Sequence, residues 1–230
     1  MTRIGQTIYA DGMRSQSPGH VNSGAKRQWD TTGVLLDESA AAGGLIDFAG
    51  VFGNKAPVEM EIGTGKGTFL LERATQRPEL NFLGVEWAKV YCHYSADRFR
   101  RAGLQNVRML RTDAMPFLTN CIADNSILRL HVYFPDPWPK KRHRCRRLIQ
   151  PGFVKQARRI LMPGGQLIVV TDHMDYFEQI RRVMRDAPGL ASTPLPRMSD
   201  KSGEIVGTNF ERKYIAQGRA FYGLAAMKYV

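Results

Sequence analysis

From about residue 57 onward, the chain alternates between short apolar runs and segments with helical spacing. The predicted strands are 58–62, 81–86, 107–111, 127–134, 166–171 and 221–229. The predicted helices are 68–76, 88–102, a helix that Pro151 opens and Pro163-Gly164-Gly165 ends, and one whose apolar face runs from Tyr176 to Ala187. The pattern follows from the periods of the two structures, since apolar residues three or four apart share one helix face. Alternating strands and helices predict an α/β domain with a parallel sheet covered on both faces.

The first 43 residues have another character, with few large aliphatic side chains and much Gly, Ser, Ala and Gln. The stretch SQSPGHVNSGAKRQ is typical of a flexible segment. We therefore predict a flexible basic arm over residues 1–43 and a single domain over 44–230, with a short helix within 41–52. An inert tail is the simpler alternative, although basic residues give the arm a means of contacting a polyanion: Arg3, Arg14, Lys26 and Arg27.

Charge narrows the class of partner. The chain has 33 Lys and Arg against 21 Asp and Glu, a formal net charge of +12. The excess is local: between Lys140 and Thr171 there are nine Lys or Arg and no acidic residue. A concentrated positive charge of this kind is what binding to phosphates requires.

Three cysteines, Cys92, Cys121 and Cys145, lie far apart and form no C-x-x-C pair. This spacing predicts neither a disulfide framework nor a zinc site, and it suits a reducing compartment. The first residues contain no apolar leader, and no apolar run approaches the roughly 20 residues of a membrane span. We expect a cytoplasmic protein with no metal and no membrane association.

A glycine-rich turn follows the first predicted strand of the domain, in the sequence EIGTGKG at residues 61–67. A phosphate-binding P-loop would need Gly and Ser or Thr where Met60 and Gly67 stand. A dinucleotide-binding turn would need its third glycine where Thr68 stands. The spacing is instead G-x-G-x-G with an acidic residue two places before the first glycine. A plain strand-to-helix turn is the simpler alternative.

Acidic residues follow three successive strands. Glu61 belongs to the glycine turn, Glu86 ends the second strand 19 positions after Gly67, and Asp113 follows the third strand. A carboxylate about 20 residues beyond such a turn commonly accepts hydrogen bonds from ribose hydroxyls. For Glu86 or Asp113 taken alone, the simpler alternative is a helix N-cap. Their recurrence at one edge of the sheet favours a shared ligand site.

The fourth predicted strand leads into FPDPWPKKRHRCRRL at residues 134–148. Three prolines within five residues restrict the backbone, so Asp136 and Trp138 are presented with little loss of conformational entropy. The basic residues follow directly. The simpler alternatives are a solvated basic loop and a tryptophan that anchors the core.

Together, the glycine turn, this proline-tryptophan-basic segment and TNFE at residues 208–211 resemble the bacterial tRNA (guanine-N7-)-methyltransferase family. The resemblance runs from about Ala56 to the C-terminus and is weak over residues 1–43. Cys145 stands where that family usually has a basic or polar residue. The resemblance implies a Rossmann-like class I methyltransferase fold, with a mostly parallel seven-stranded sheet and helices on both faces.

The resemblance also implies a reaction and a set of residues. The reaction is methyl transfer from S-adenosyl-L-methionine to N7 of guanine-46 in the tRNA variable loop, with S-adenosyl-L-homocysteine as product. Asp136 would be catalytic and would also contact the cofactor, together with Glu61, Gly63, Gly65, Gly67, Glu86 and Asp113. The substrate-binding residues would be Lys140, Arg142, Arg144, Arg146, Arg147, Asp172, Thr208, Asn209, Phe210 and Glu211. The partner would be tRNA, and the protein a monomer or homodimer.

The motifs also allow other interpretations of the site and the reaction. Thr208 and Glu211 have the spacing of a helix capping box, which needs no ligand. The sequence DPWP departs from the [DN]-P-P-[YWF] motif of enzymes that methylate exocyclic amines, so amine methylation is the lesser possibility. A non-catalytic RNA-binding module is a third possibility, and the intact glycine turn with three acids argues against it. A nicotinamide-dependent oxidoreductase is disfavoured by Thr68.

Overall fold

A computed structural model of the chain describes residues 6–8, 28–42 and 44–229. Its strands are β1 Gln6–Ile8, β2 Val58–Ile62, β3 Asn81–Val85, β4 Val107–Leu110, β5 Ile127–Tyr133, β6 Leu161–Thr171, β7 Leu190–Thr193 and β8 Phe221–Lys228. Its α-helices are α1 Phe48–Phe52, α2 Thr68–Gln76, α3 Lys89–Arg101, α4 Ala114–Asn120, α5 Pro151–Ile160, α6 Met174–Arg185 and α7 Asn209–Ala216. Two 3-10 helices span Glu38–Ala41 and Lys141–Arg146.

The strands form one sheet in the order β1-β8-β6-β5-β2-β3-β4, and β7 pairs with β8 beside β1. Strands β2 to β6 run parallel, while β8 is antiparallel to β6, β1 and β7. The predicted mostly parallel sheet of seven strands is confirmed, with the short β1 added at its edge. The chain order reverses between β2 and β5, and the crevice beyond such a reversal is where α/β sheets bind ligands.

Two apolar layers enclose the sheet. All five residues of β2 and of β3 are buried, as expected for strands covered on both faces. On one side α5 buries Phe153, Val154, Ala157 and Ile160, the residues whose spacing predicted this helix. On the other side, Phe69 of α2 and Phe99 of α3 pack in the second layer.

The predicted boundary of the N-terminal arm is wrong for residues 28–42. Leu35 forms a parallel bridge with Met109 of β4, and the Leu36 N–H donates to Met109 O at 2.8 Å. Val34 is buried in the core layer beneath. The free edge of β4 offers backbone partners to this short apolar run, so residues 28–42 pack onto the domain. The rest of the predicted arm, β1 apart, lies outside the described residues, including Arg3, Arg14, Lys26 and Arg27.

The helix that begins at Pro151 ends at Ile160, just before Pro163-Gly164-Gly165, but the next strand begins earlier than predicted. Strand β6 starts at Leu161, which pairs with Ile127, and a shift in register carries the pairing to Arg129 and Gln166. The chain therefore inserts its Pro-Gly-Gly turn as a bulge within the strand. Within the described residues, no helix combines the length and apolar character that crossing a bilayer requires.

Candidate active site

A cavity of about 480 Å³ opens at the edge of the sheet where β2 and β5 end. The glycine turn, the start of α2, the end of β5, α3 and α7 all contribute to its wall. Its lining residues are Glu61, Gly63, Thr64, Gly65, Lys66, Thr68, Phe69, Tyr91, Tyr133, Phe134, Thr208, Asn209, Phe210 and Lys213. The cavity therefore lies in the crevice at the reversal of strand order, where the sequence places its glycine turn.

The three glycines of the turn serve two purposes. All three have left-handed backbones, with φ of 77°, 54° and 68° at Gly63, Gly65 and Gly67. A side chain at Gly63 or Gly65 would project into open space, the space that a ligand in the cavity would use. A Cβ at Gly67 would lie 2.6 Å from Cζ of Phe99, so this glycine lets the turn approach α3 closely.

Neighbouring elements hold the turn in place. The Ser95 hydroxyl on α3 donates to Gly65 O at 2.8 Å, and Arg98 donates to Lys66 O at 3.0 Å. The Gly65 N–H donates to Glu86 Oε2 at 2.8 Å, while Glu86 Oε1 accepts from the Ala88 N–H. Glu86 thus connects the end of β3 to the turn, and the turn is ordered before a ligand arrives.

Glu61 is the residue that most clearly indicates a ligand. Its side chain is buried in the cavity wall, and its Oε2 has no hydrogen-bond partner within the described part of the chain. Burial, together with the nearby charge of Glu86, raises the pKa of Glu61 well above its usual range. An unpaired buried carboxylate is costly unless a cation or donor satisfies it. The site therefore fits a ligand that brings a positive charge, as a sulfonium and ammonium compound does.

A buried polar network underlies the cavity, and sequence reasoning missed it. Glu59 accepts from Arg73 at 3.1 Å and from Arg129 at 2.6 Å, and it contacts His131 Nε2 at 3.1 Å. With Nε2 donating to Glu59, Nδ1 of His131 accepts from the Tyr133 hydroxyl at 2.8 Å. Burial alone would raise the pKa of Glu59, but hydrogen bonds and charges from His131 and Arg73 hold it well below its usual range. The network fixes the Tyr133 ring in the cavity wall.

Asp136 lies on an exposed loop just beyond the cavity. It is not itself a lining residue, but Phe134, two residues earlier, is. Phe134 and Trp138 have φ of 51° and 41°, a left-handed conformation that side chains other than glycine rarely adopt. Such conformations persist where surrounding contacts hold them, and they occur often at functional sites. We call residues 134–138 the proline ledge.

The basic segment that follows the ledge folds as the 3-10 helix Lys141–Arg146. Lys140, Arg142 and Arg146 are exposed, and the Arg146 guanidinium lies 5.0 Å from the centre of the Trp138 ring. Arg144 forms an ion pair with Asp175 at 2.9 Å. This segment presents cationic side chains beside the ledge, as the sequence predicts.

Arg147 does not fit its predicted place among the RNA-contacting residues. It is 2% exposed, and its guanidinium donates to Pro137 O, Gln179 Oε1 and Asp175 Oδ2 at 2.8, 2.8 and 2.6 Å. Each of its three nitrogens binds a group of the chain itself, and burial keeps the remaining N–H donors away from a phosphate on the surface. The sequence shows a run of similar arginines and does not reveal which of them turns inward.

The sequence of this chain is similar to those of several known proteins. A family model described as "Putative methyltransferase" matches residues 55–224. The tRNA (guanine-N(7)-)-methyltransferase of Alkalilimnicola ehrlichii is 36% identical over 210 residues, which cover 90% of this chain and 87% of that protein. The enzyme of the same name from Idiomarina loihiensis is 36% identical over 204 residues, covering 86% and 80%. The chain belongs to the tRNA (guanine-N7-)-methyltransferase family. The predicted family is thereby confirmed.

Solved structures confirm the fold. The antibiotic-resistance methyltransferase Kmr is 17% identical, with a TM-score of 0.52 over 90% of this chain and 96% of that one. Phosphoethanolamine N-methyltransferase 2 of Haemonchus contortus, solved in complex with S-adenosyl-L-methionine, is 16% identical, with a TM-score of 0.51 over 76% and 49%. At these identities the likeness concerns architecture alone, and it establishes the methyltransferase fold predicted from the sequence.

Two acids that the family resemblance places in the site have contacts within the chain. Asp113 is exposed and caps α4, accepting from the Met115 N–H at 3.0 Å, which is the simpler role weighed for it. It is not among the residues that line the cavity. Asp172 follows β6, as predicted, and forms an ion pair with Arg219 beside the Tyr214 ring.

The TNFE segment both caps a helix and contributes to the cavity wall. Thr208 caps α7 by accepting from the Glu211 N–H at 3.0 Å, and Thr208, Asn209 and Phe210 line the cavity. Glu211 is fully buried and accepts from the backbone N–H groups of residues 205, 206 and 207 at 2.6 to 3.0 Å. Glu211 therefore shapes the loop that presents the other three residues.

Several lining residues were not predicted. Lys66 and Thr64 stand between the glycines of the turn, and their position in that motif was a usable signal. Tyr91 and Lys213 come from helix faces that carry no recognisable motif, so only the fold brings them to the cavity. Within the described residues, no group of three or more His, Cys, Asp or Glu side chains is arranged to hold a metal ion.

Proposed function

We propose that this protein transfers a methyl group from S-adenosyl-L-methionine to N7 of guanine-46 in the variable loop of tRNA. The observation that carries the proposal is the buried Glu61 carboxylate beside the glycine turn, with one oxygen unpaired within the described residues, in a cavity that Phe134 of the proline ledge also lines. The names of the relatives support tRNA guanine N7 as the target. The charge pattern supports a polyanionic substrate.

The proposed cofactor-binding residues would contact different chemical groups of the cofactor. Glu61 would pair with a positive group of the cofactor, and Glu86, at the end of β3, is placed to accept from ribose hydroxyls. Gly63 and Gly65 leave room for close approach to the backbone. Asp113 and Asp136 stand at the ends of β4 and β5 and complete the proposed set. The bound cofactor supplies an electrophilic methyl group on a sulfonium.

The chain's own contribution to the reaction is to position the guanine. N7 carries a lone pair and no proton, so no strong general base is required. The rate then depends on holding N7 in line with the methyl group at about 3–3.5 Å. Asp136 would accept hydrogen bonds from N1–H or N2–H₂ of guanine, and its charge would balance the cationic product.

The tRNA would be held by the surface around the ledge. Lys140, Arg142, Arg144 and Arg146 would contact phosphates, and such contacts make binding depend strongly on salt. Asp172 and the exposed ring of Phe210, at the rim of the cavity, would contact the nucleotide itself. We propose that the protein acts in the cytoplasm as a monomer or homodimer.

The position of methylation is tested with two tRNA transcripts that differ only at nucleotide 46. A transcript with guanine at that position should accept close to one methyl group per molecule from labelled S-adenosyl-L-methionine. A transcript with adenine there should accept none, while competing equally for binding. Equal methylation of both transcripts would show that the target lies elsewhere.

A further inference from the structure

The buried Arg147 lies between the proline ledge and helix α6 and touches both. We propose that Arg147 is a positioning residue, which holds the ledge in its reactive geometry rather than contacting RNA. Asp175 and Gln179 of α6 anchor it. The expected effect on catalysis rests on the proposed function, whereas the anchoring of the ledge by Arg147 does not depend on it.

The contacts of Arg147 leave it little freedom. Its Nε donates to Pro137 O at 2.8 Å, and that carbonyl lies between Asp136 and Trp138 in the chain. Its other two nitrogens donate to Gln179 Oε1 and Asp175 Oδ2. The guanidinium also lies 4.8 Å from the centre of the Tyr176 ring.

Helix α6 holds the chain again just after Arg147. The Ile149 N–H donates to Tyr176 Oη at 2.9 Å, and Gln179 Nε2 donates to Ile149 O at 3.1 Å. The segment is therefore tied to α6 at Pro137, through Arg147, and at Ile149. Between these ties the 3-10 helix Lys141–Arg146 exposes Arg142 and Arg146, while Arg144 pairs with Asp175 at 2.9 Å. Arg147 is the arginine of this segment that is buried.

The strained backbone shows why an anchor is needed. Trp138 holds a left-handed conformation, and it directly follows the residue whose carbonyl Arg147 binds. Without that hydrogen bond the ledge would relax toward more favourable backbone angles and move Asp136. Only a planar guanidinium supplies three donors in directions that reach Pro137, Gln179 and Asp175 together.

The variant Arg147→Lys tests the inference, because it keeps the charge and loses the fixed set of donors. We expect kcat for methyl transfer to tRNA to fall about 10- to 100-fold, the range that a misplacement near 1 Å produces. The slope of log K against log salt for tRNA binding should match that of the wild type. A Trp29→Phe/Trp87→Phe background leaves Trp138 as the only tryptophan, and acrylamide should quench its fluorescence more strongly in the variant.

Two control variants distinguish a positioning role from a role in RNA contact. Arg181→Lys changes an arginine of α6 whose ion pair within the described residues is with Glu178, one turn away, and it should alter none of the three measurements. Arg142→Ala removes an exposed cation, so it should lower the salt slope by about 0.7–0.9 and leave Trp138 quenching unchanged.

The inference is overturned if Trp138 quenching and kcat of Arg147→Lys both stay at wild-type values. Should Arg147→Lys not fold, Gln179→Leu removes one acceptor of Arg147 and keeps the Arg144–Asp175 ion pair. It should give the same pattern with smaller changes, and wild-type behaviour of that variant would refute the inference. If the wild type transfers no methyl group to tRNA, the proposed function fails. The quenching measurement then decides the anchoring role by itself.

Discussion

At the scale of single residues, the site depends on carboxylates whose surroundings differ. Glu59 is buried, but three basic side chains pair with it. Glu61, two residues further along β2, is equally buried and lacks a partner for one oxygen within the described residues. The first arrangement stabilises a folded strand pair. The second leaves a buried carboxylate that is relieved either by protonation or by a cationic ligand, and it therefore supports the proposed cofactor position.

The first prediction concerns Glu61→Gln. Burial raises the pKa of Glu61 in the folded state, so folding of the free protein favours the protonated acid. The unfolding free energy of the free wild type should be highest below the ordinary carboxyl pKa and should fall as pH rises through the pKa of Glu61 in the folded state. The variant should not show this fall. Cofactor affinity of the variant should fall about 10- to 100-fold, the worth of a charge-assisted hydrogen bond. Thermal unfolding across pH and calorimetric titration measure the two effects.

The same titrations provide the control for Glu61. Binding of a cationic cofactor should release a proton from the wild type, so the measured enthalpy should vary with the ionisation enthalpy of the buffer. Glu61→Gln should show no such variation. A wild type that binds the cofactor without proton release at every pH over which it is folded would contradict the account of this carboxylate.

The second prediction concerns Asp136→Ala. If Asp136 orients guanine, the variant should lose about 100-fold or more in kcat, comparable to removing one stabilising group from a reactive site. Its affinity for tRNA should remain near that of the wild type. Steady-state kinetics with separate binding measurements decide this, and undiminished turnover would remove Asp136 from the reaction.

Residue type alone did not show which arginines of the basic segment are exposed and which one is buried. Arg142 and Arg147 occur in one run, and the sequence assigned both to RNA contact. The structure buries Arg147 because Asp175 and Gln179 reach it from α6, an element that begins 27 residues later. Such long-range pairing has no signature in local sequence. Asp136 and Glu61 were predictable because each belongs to a compact motif at a strand end.

At the scale of elements, strands with continuous apolar runs and helices with clear spacing were predicted to within a few residues. Helix α4 was missed because its sequence, AMPFLTN, is short and contains a proline. Helix α7 was anticipated only as a capping box, since its buried face consists of little more than Glu211 and Tyr214. Both helices depend on caps and on packing against the domain rather than on their own periodicity.

The third prediction concerns the glycine turn, and a matched pair of substitutions tests it. Gly67→Ala adds a methyl group 2.6 Å from Phe99 at a left-handed position, and it should cost about 2 kcal/mol or more in unfolding free energy. Gly103→Ala, with a similar φ of 70° and open space around it, should cost only about 1 kcal/mol. Denaturant unfolding compares the two, and equal costs would mean that close approach to α3 is not the reason for Gly67.

At the scale of the whole molecule, exposed cations cluster on one side of the cavity. Lys140, Arg142 and Arg146 are exposed beside the ledge at the edge where the parallel strands end. Other cations, such as Lys55 and Arg101, lie toward the opposite edge, before β2 and at the end of α3. A polyanion attracted by the first group would meet the cavity directly. In the proposed function, the placement of these charges, more than their total, would orient the protein toward RNA.

The fourth prediction follows from this placement. Replacing Lys140, Arg142 and Arg146 by alanine should lower the slope of log K against log salt for tRNA binding by about 2–3. Replacing Lys55, Arg77 and Arg101 removes the same charge from the opposite edge and should change the slope little. Filter binding over a range of salt concentrations measures both. Equal slopes for the two triple variants would place the RNA surface elsewhere.

The most direct test of the account is identification of the methylated nucleoside. Unmodified tRNA is incubated with the wild-type protein and S-adenosyl-L-methionine, digested to nucleosides and analysed by chromatography and mass spectrometry. The account predicts 7-methylguanosine as the product. Methylation at an exocyclic amine, or no transfer under conditions where the protein binds both the cofactor and tRNA, would contradict it.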